Sequence, residues 1–400
     1  MSDLNNIDHL NIKYYNPFND FELVEIIWCS LLEKTNHSYF LSWGWMANWI
    51  KSLPSTSDLR LVVGYIEKNP VLAFFVGTKK MRKYGFLPTR IMSLNSSADP
   101  YFDKLFIEHN SILVDQSITL REKVFHAILS LQDWDEFILP GISPEFLENG
   151  RLFSNKRSQR LNFLIDESMQ SFFVELDKIR AAGMSYLQIL SANKRSQIRR
   201  SIKQYEKDGK IQIVEAASVD ECRTMFDALV SLHQQEWAKR EISGAFSNNY
   251  LYQFHLDLIS SRFANREIQL LHIFNNKMTI GYLYNFTYRG SVLFYQSGFN
   301  YMNENIYRPG IVSHYFAILY NASKNYLIYD FLAGDSAYKS SLSTNSIPIY
   351  WARLIKKRWR WLLVKKVFEV KNLLERLKIK SQNRNMKRCR ARRTHPANRG

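Results

Sequence analysis

The stretch EIQLLHIFNNKMTIGYLYNFTYRGSVLFYQSGFN, residues 267–300, holds three apolar runs rich in β-branched and aromatic residues. Asn275-Asn276-Lys277 separates the first from the second, and Arg289-Gly290 the second from the third. Links this short suit hairpins, so three antiparallel strands are predicted. Upstream, KIQIVEA (210–216) reads as a strand, followed by two helices, VDECRTMFDALVSLHQQEWAKR (219–240) and NNYLYQFHLDLISSRF (248–263). Downstream, the loop YMNENIYRPG leads to the helix IVSHYFAILYNASKN (311–325), and YLIYDFL (326–332) is the closing strand. The order is β-α-α-β-β-β-α-β. A helical crossover lets the last strand run parallel to its neighbour, which makes the sheet mixed and the class α/β (α+β).

The N-terminal part also alternates helices and strands. DFELVEIIWCSLLEK and SWGWMANWIKSL have helical spacing. LRLVVGYIEKNPVLAFFVGTKKM reads as two strands joined by the turn Glu67-Lys68-Asn69-Pro70. TLREKVFHAILSLQ is a helix with Thr119 and Glu122 in capping-box spacing, DEFILPGI a buried strand, and QRLNFLID the end of this half. The expected domains are 1–165, 166–350, a basic amphipathic helix over 351–380 and a disordered basic tail over 381–400.

Bulk properties narrow the function. At 400 residues, 46% hydrophobic and 23% charged, the chain suits a folded soluble protein. No apolar run reaches the roughly 18 residues of a membrane span. The N-terminus has neither the basic nor the apolar region of a secretory signal. Cys29, Cys222 and Cys389 are scattered and the histidines form no ligand pair, so a reducing cytoplasm and no metal are expected. The net charge of +17 is a tail property. The last 50 residues hold 18 of the 54 Lys and Arg and 2 of the 37 Asp and Glu, leaving 36 basic against 35 acidic groups elsewhere. A neutral body is a poor phosphate-backbone binder, and no specific nucleic acid is expected.

The strand at 326–332 ends in AGDSAYK, a small-residue turn carrying Asp335, Tyr338 and Lys339. Taken alone, Gly334 is a turn, Asp335 a helix N-cap and the Tyr-Lys pair surface. Taken with FYQSGFN and with RPG opening a helix, it resembles the GNAT superfamily. The resemblance is to the acetyltransferase-like branch linked to cellulose and exopolysaccharide biosynthesis, itself similar to the Fem-type aminoacyltransferases of peptidoglycan assembly. The matching residues are Tyr295, Gly298, Phe299, Pro309, Gly310, Asp330, Phe331, Leu332, Gly334, Asp335, Tyr338 and Lys339. Two tandem GNAT-like domains are implied, the second carrying the fuller motif set. The chain departs from the superfamily's usual phosphate-loop spacing in having one glycine at 308–310, and from the branch in having serines 340, 341 and 343 where an aromatic is usual.

The resemblance implies a splayed pair of central strands that holds the arm of acyl-CoA as an added strand. Tyr295 and Gln296 would border that arm, and Arg308 and Gly310 would meet its pyrophosphate at the helix N-terminus. Lys339 would stabilise the oxyanion or a donor phosphate, Asp335 accept a proton or orient Lys339 or the incoming amine, and Tyr338 protonate the thiolate. The implied acceptor is an amine or hydroxyl of a glycan or cell-envelope precursor. An aminoacyl-tRNA donor and an inactive scaffold in polysaccharide synthesis are the alternatives. His233 and His314 read as packing or surface histidines. The helix around NKRSQIRRSIKQY presents Lys194, Arg195, Arg199 and Arg200 either to solvent or to an anionic ligand. Ile355, Trp359, Leu363, Val367, Val370, Leu374 and Leu377 form an apolar stripe, so residues 353–380 either pack on the body or lie on an anionic membrane at its inner face.

Overall fold

The computed structural model describes residues 10–83, 85–116, 121–148 and 161–356. The first half runs β1 (Asn11–Tyr15), α1 (Phe21–Leu32), α2 (Trp43–Ser52), β2 (Leu59–Ile66), β3 (Asn69–Lys83), β4 (Leu87–Leu94), β5 (Leu113–Val114), α3 (Arg121–Ser130), β6 (Glu136–Ile142) and β7 (Leu161–Glu175). The second runs α4 (Leu176–Ala181), α5 (Tyr186–Ile189), α6 (Ala192–Tyr205), β8 (Gln212–Glu215), α7 (Val219–Lys239), α8 (Asn249–Arg262), β9 (Ile268–Phe274), β10 (Thr279–Tyr288), β11 (Ser291–Phe299), α9 (Pro309–Ser323), β12 (Ile328–Ala333), α10 (Ala337–Leu342) and β13 (Asn345–Lys356). From β8 to β12 this is the order read from the sequence.

All thirteen strands form one sheet, in the order β1-β2-β3-β4-β6-β13-β7-β12-β11-β10-β9-β8, with β5 beside β3. The two halves exchange their closing strands at its centre. β7 leaves the first half to pair with β12, and β13 leaves the second to pair with β6. β7 and β13 also pair with each other along the whole of β13, from Asn345 to Lys356.

Local chemistry sets the helix starts. Ser218 caps α7 through the Glu221 N–H at 3.1 Å, and Glu221 reaches back to the Ala217 N–H at 2.8 Å. One sheet face carries a core shared by α1, α2, α7 and α8, with Trp28, Trp45, Trp49, Phe226 and Phe254 at its centre. Tyr39 of the first half stacks on Phe286 of the second at 4.6 Å. On the opposite face each half keeps its own core, under α3 in one and under α6 and α9 in the other.

β13 corrects the reading of the tail. The helix expected from residue 351 does not begin there, because the chain stays in β13 through Lys356, and the expected break after residue 350 falls inside that strand. Ala352 and Leu354 enter the first half's core, and Arg353 pairs with Glu136 at 3.3 Å and Asp166 at 2.7 Å. The remainder of the tail, with Trp359, Leu363, Val367, Val370, Leu374, Leu377 and Cys389, lies outside the described residues, as does the Thr119 cap. Because β13 completes both halves, a chain ending at Thr344 is expected to lose cooperative unfolding and soluble expression. A circular-dichroism melt of that truncation, set against one ending at Lys356, checks this.

Candidate functional site

β11 and β12 run parallel and pair only through Ser291–Ile328, Val292–Tyr329 and Leu293–Asp330. Beyond Leu293 and Asp330 the strands part. The opening leads into a cavity of about 290 Å³ lined by Glu108, Glu167, Phe294, Gln296, Leu332 and Lys339 among others. The turn after β12 is built around Lys339. Leu332 takes φ +57° and Gly334 φ +139°, so the chain curls over the lysine. Its ammonium donates to the carbonyls of Leu332 at 3.1 Å and Ala333 at 2.8 Å. A side chain at 334 would put its Cβ 3.0 Å from Nζ, which is one reason for glycine there. An ammonium has three N–H donors, so one remains for the cavity. Burial holds the Lys339 pKa below its ordinary value, against the pull of Glu108, Asp330 and Asp335.

The cavity's carboxylate comes from the other half. Glu108 accepts the Ala333 N–H at 2.6 Å. Burial pushes its pKa up to about 7, although the Ala333 N–H, His109 and Lys339 all oppose the rise. Next to it, His109 Nε2 meets the Asp330 carboxylate at 3.1 Å. Asp330 also accepts from Ser171 Oγ at 2.9 Å and from the Leu332 N–H at 2.8 Å. Burial works against both charges, yet the pair prevails: Asp330 lies below the ordinary carboxylate range and His109 above the ordinary histidine. Glu108 and His109 are residues the sequence reading missed. Their one local signal is a Glu-His-Asn-Ser run between Ile107 and Ile112.

Of the residues singled out in the sequence, Lys339, Tyr295 and Gln296 line the cavity. Tyr295 donates its hydroxyl to the Leu105 carbonyl at 2.7 Å, tying β11 to the first half. Asp335 is exposed and accepts the Gln170 N–H at 3.1 Å, which fastens the turn to β7. Tyr338 stacks on His314 at 5.5 Å and is not among the cavity-lining residues. His314 is fully buried and bonded to the Tyr329 hydroxyl, and His233 accepts from Trp237 Nε1; both are packing residues.

Arg308 and Gly310 open α9. Arg308 takes φ +41°, Pro309 begins the helix, and no side chain caps the N-terminus. Gly310 makes room for Phe299, whose ring would lie 3.1 Å from a Cβ there. α6 is tied to the preceding loop by Ser201 Oγ to the Ile306 carbonyl at 2.6 Å and Gln204 to Tyr307 at 3.0 Å. This brings Lys194 near Arg308, and burial together with that neighbouring cation lowers the Lys194 pKa. Two cations beside an uncapped fifteen-residue helix suit an anion. Among the described residues no group of three His, Cys, Asp or Glu is placed to hold a metal ion, and no helix is long and apolar enough to cross a membrane.

Residues 192–340 match the acetyltransferase (GNAT) domain family. Among solved structures, FemX superposes with a TM-score of 0.53 at 9% identity, covering 82% of this chain and 95% of FemX. A tandem GNAT protein from the clavulanic acid biosynthesis pathway superposes with a TM-score of 0.47 at 12% identity, covering 87% of this chain and 98% of that one. The C-terminal domain of a putative lysylphosphatidylglycerol synthetase from Agrobacterium fabrum gives a TM-score of 0.48 at 12% identity, covering 87% and 95%. No curated protein matches the chain in sequence. Residues 192–340 thus form a GNAT-type acetyltransferase domain, and the fold of the chain is similar to that of FemX.

Proposed function

We propose that the protein moves an acyl group from acyl-CoA to an amine or hydroxyl of a glycan or cell-envelope precursor. The observation that carries the proposal is the Glu108–Lys339 cavity at the strand splay of a GNAT domain. In this reading the acceptor's nucleophile attacks the thioester carbonyl, and Glu108 takes its proton. The free N–H of Lys339 meets the oxygen as charge develops on it. The carbon–sulfur bond then breaks and the proton passes to the thiolate, giving the acylated acceptor and free CoA. Arg308, Lys194 and the α9 N-terminus hold the pyrophosphate, and the unpaired edge of β11 at Tyr295 and Gln296 holds the arm.

A second cavity, of about 510 Å³, supports the acceptor class. Leu293 and Asp330 line it, while Tyr295 and Leu332, two residues further along each strand, line the first. That step is about 7 Å, so the cavities adjoin. Asn36, Ser38, Ser111 and Ser143 line the second cavity with Tyr288 and Phe173, a hydroxyl- and amide-rich surface beside aromatic rings that suits a sugar. The donor places the reaction in the cytoplasm. An aminoacyl-tRNA donor, which the Fem-like fold permits, is the second reading.

Calorimetric titration of acetyl-CoA tests the proposal, with Arg308→Ala as control. Removing one charge-assisted hydrogen bond predicts about tenfold weaker binding. Thiol release from acetyl-CoA, with glucosamine as acceptor probe, reads turnover. No binding of acetyl-CoA or of a longer acyl-CoA shifts the donor to aminoacyl-tRNA.

A further inference from the structure

The first half has a splay of its own. β4 and β6 run parallel and pair only through Ile91–Glu136, Met92–Phe137 and Ser93–Ile138. Where the corresponding opening of the second half leads into a cavity, this one is filled by the chain itself. Asn110 is fully buried and forms a parallel bridge with Ile142. Its backbone N–H donates to the Gly141 carbonyl at 2.8 Å. Its side-chain amide donates to the Leu94 carbonyl at 3.2 Å and the Pro140 carbonyl at 2.9 Å, one from each parted strand, and accepts from Asn95 Nδ2 at 2.8 Å. The fit is close. A Cβ on Gly141, whose φ is +63°, would lie 2.2 Å from the Ile107 carbonyl oxygen.

The same segment reaches the second half. Left-handed backbone at Phe106 (φ +44°) and His109 (φ +50°) turns the chain on either side of Glu108. Glu108 then meets the Ala333 N–H and His109 meets Asp330, while Asn110 stays locked in the first half. Two non-glycine residues with positive φ persist only where surrounding contacts hold them.

We propose that residues 107–111 are a resident ligand of the first half: they fill its splay as an added strand, leaving the chain one acyl-donor site, and Asn110 is the positioning residue that holds Glu108 and His109 at the transfer site. The inference rests on the acyl-transfer reading for its donor and rate arms, but its exchange arm does not.

Three measurements test it. Wild-type protein titrated with acetyl-CoA should bind one molecule per chain; two would overturn the resident-ligand claim. Amide hydrogen exchange should show Asn110 and Ala333 both slow, and Asn110→Ala should speed both at least tenfold. Faster exchange at residues 106–111 with Ala333 unchanged would overturn the positioning claim. In thiol release from acetyl-CoA with glucosamine, Asn110→Ala should lower kcat at least tenfold and leave donor Kd within twofold. The acid limb of its pH profile should also move to lower pH as Glu108 becomes solvated. The groups facing Glu108 there are His109 on its own loop, Lys339 and Asp330 after and within β12, Tyr295 on β11 and Glu167 on β7. An unshifted limb counts against positioning. If Asn110→Ala does not fold, Asn110→Ser, which keeps one donor, is read the same way. If no acyl-CoA binds, the acyl-transfer reading fails and the exchange arm still decides: fast exchange at Asn110 in the wild type would overturn the resident-ligand claim.

Discussion

Replacing Lys339 with alanine is expected to lower turnover about 100- to 1,000-fold, the scale for losing one preorganised charge at a developing oxyanion. Donor affinity should change little, because the pyrophosphate contacts proposed at Arg308 and Lys194 lie on α9 and α6. The substitution also removes two hydrogen bonds to the end of β12, at the carbonyls of Leu332 and Ala333. Those acceptors cost about 1–3 kcal/mol if left unpaired, so a lower melting temperature is expected alongside the rate loss. Lys339→Met separates the two effects. It keeps most of the packing and removes only the ammonium, so it should be nearly as slow as alanine while melting higher. Gly334→Ala should act on the same group from outside, since its Cβ would crowd Nζ at 3.0 Å on backbone at φ +139°. Thiol-release kinetics on the three variants check this. Wild-type rates in Lys339→Met would remove the ammonium from the mechanism.

The second half was legible because its signals are local. Short polar links between β9, β10 and β11, and a helix between β11 and β12, fix an order without knowledge of the other half. Lys339 was singled out only through the family resemblance, since the turn and the Tyr-Lys pair taken alone read as surface. β13 was not legible. The spacing of Ile355, Trp359 and Leu363 suits a helix, and Pro348 argues against a central strand. The structure resolves the conflict. Pro348 sits opposite Gln170 of β7, and β6 joins β13 only from Tyr350 onward, so no partner on that side asks for the missing N–H. Glu108 was illegible for a different reason. Its partner is the Ala333 N–H, 225 residues away, and the pairing joins the two halves of the fold. A carboxylate in a short loop carries no pattern that distinguishes it from a solvated one.

Glu108→Gln is expected to make the protein slower and more stable at once. Removing a general base costs about 100- to 10,000-fold in turnover. The glutamine keeps an oxygen to accept the Ala333 N–H, so the loop is not released. Stability moves the other way at alkaline pH. Glu108 has an ordinary value of 4.5 and is pushed by burial to about 7 in the fold. Between those values the folded state holds a proton that the unfolded state has released, so wild-type stability falls as pH rises from 4.5 to about 7. A shift of that size corresponds to a loss on the order of 3 kcal/mol, complete above pH 7 and absent below the unfolded value. The Gln variant has no such titration and should unfold at higher denaturant than wild type at pH 8, with the gap closing near pH 4. The wild-type rate should rise through about pH 7 as Glu108 ionises, then fall below the ordinary lysine pKa of 10.5 as Lys339 deprotonates. In Glu108→Gln the rising limb should be missing. Urea unfolding at pH 4 and 8, run beside pH–rate profiles, separates this from simple damage. A damaged variant is slower and weaker at every pH, whereas a lost buried base is slower but stronger above neutrality.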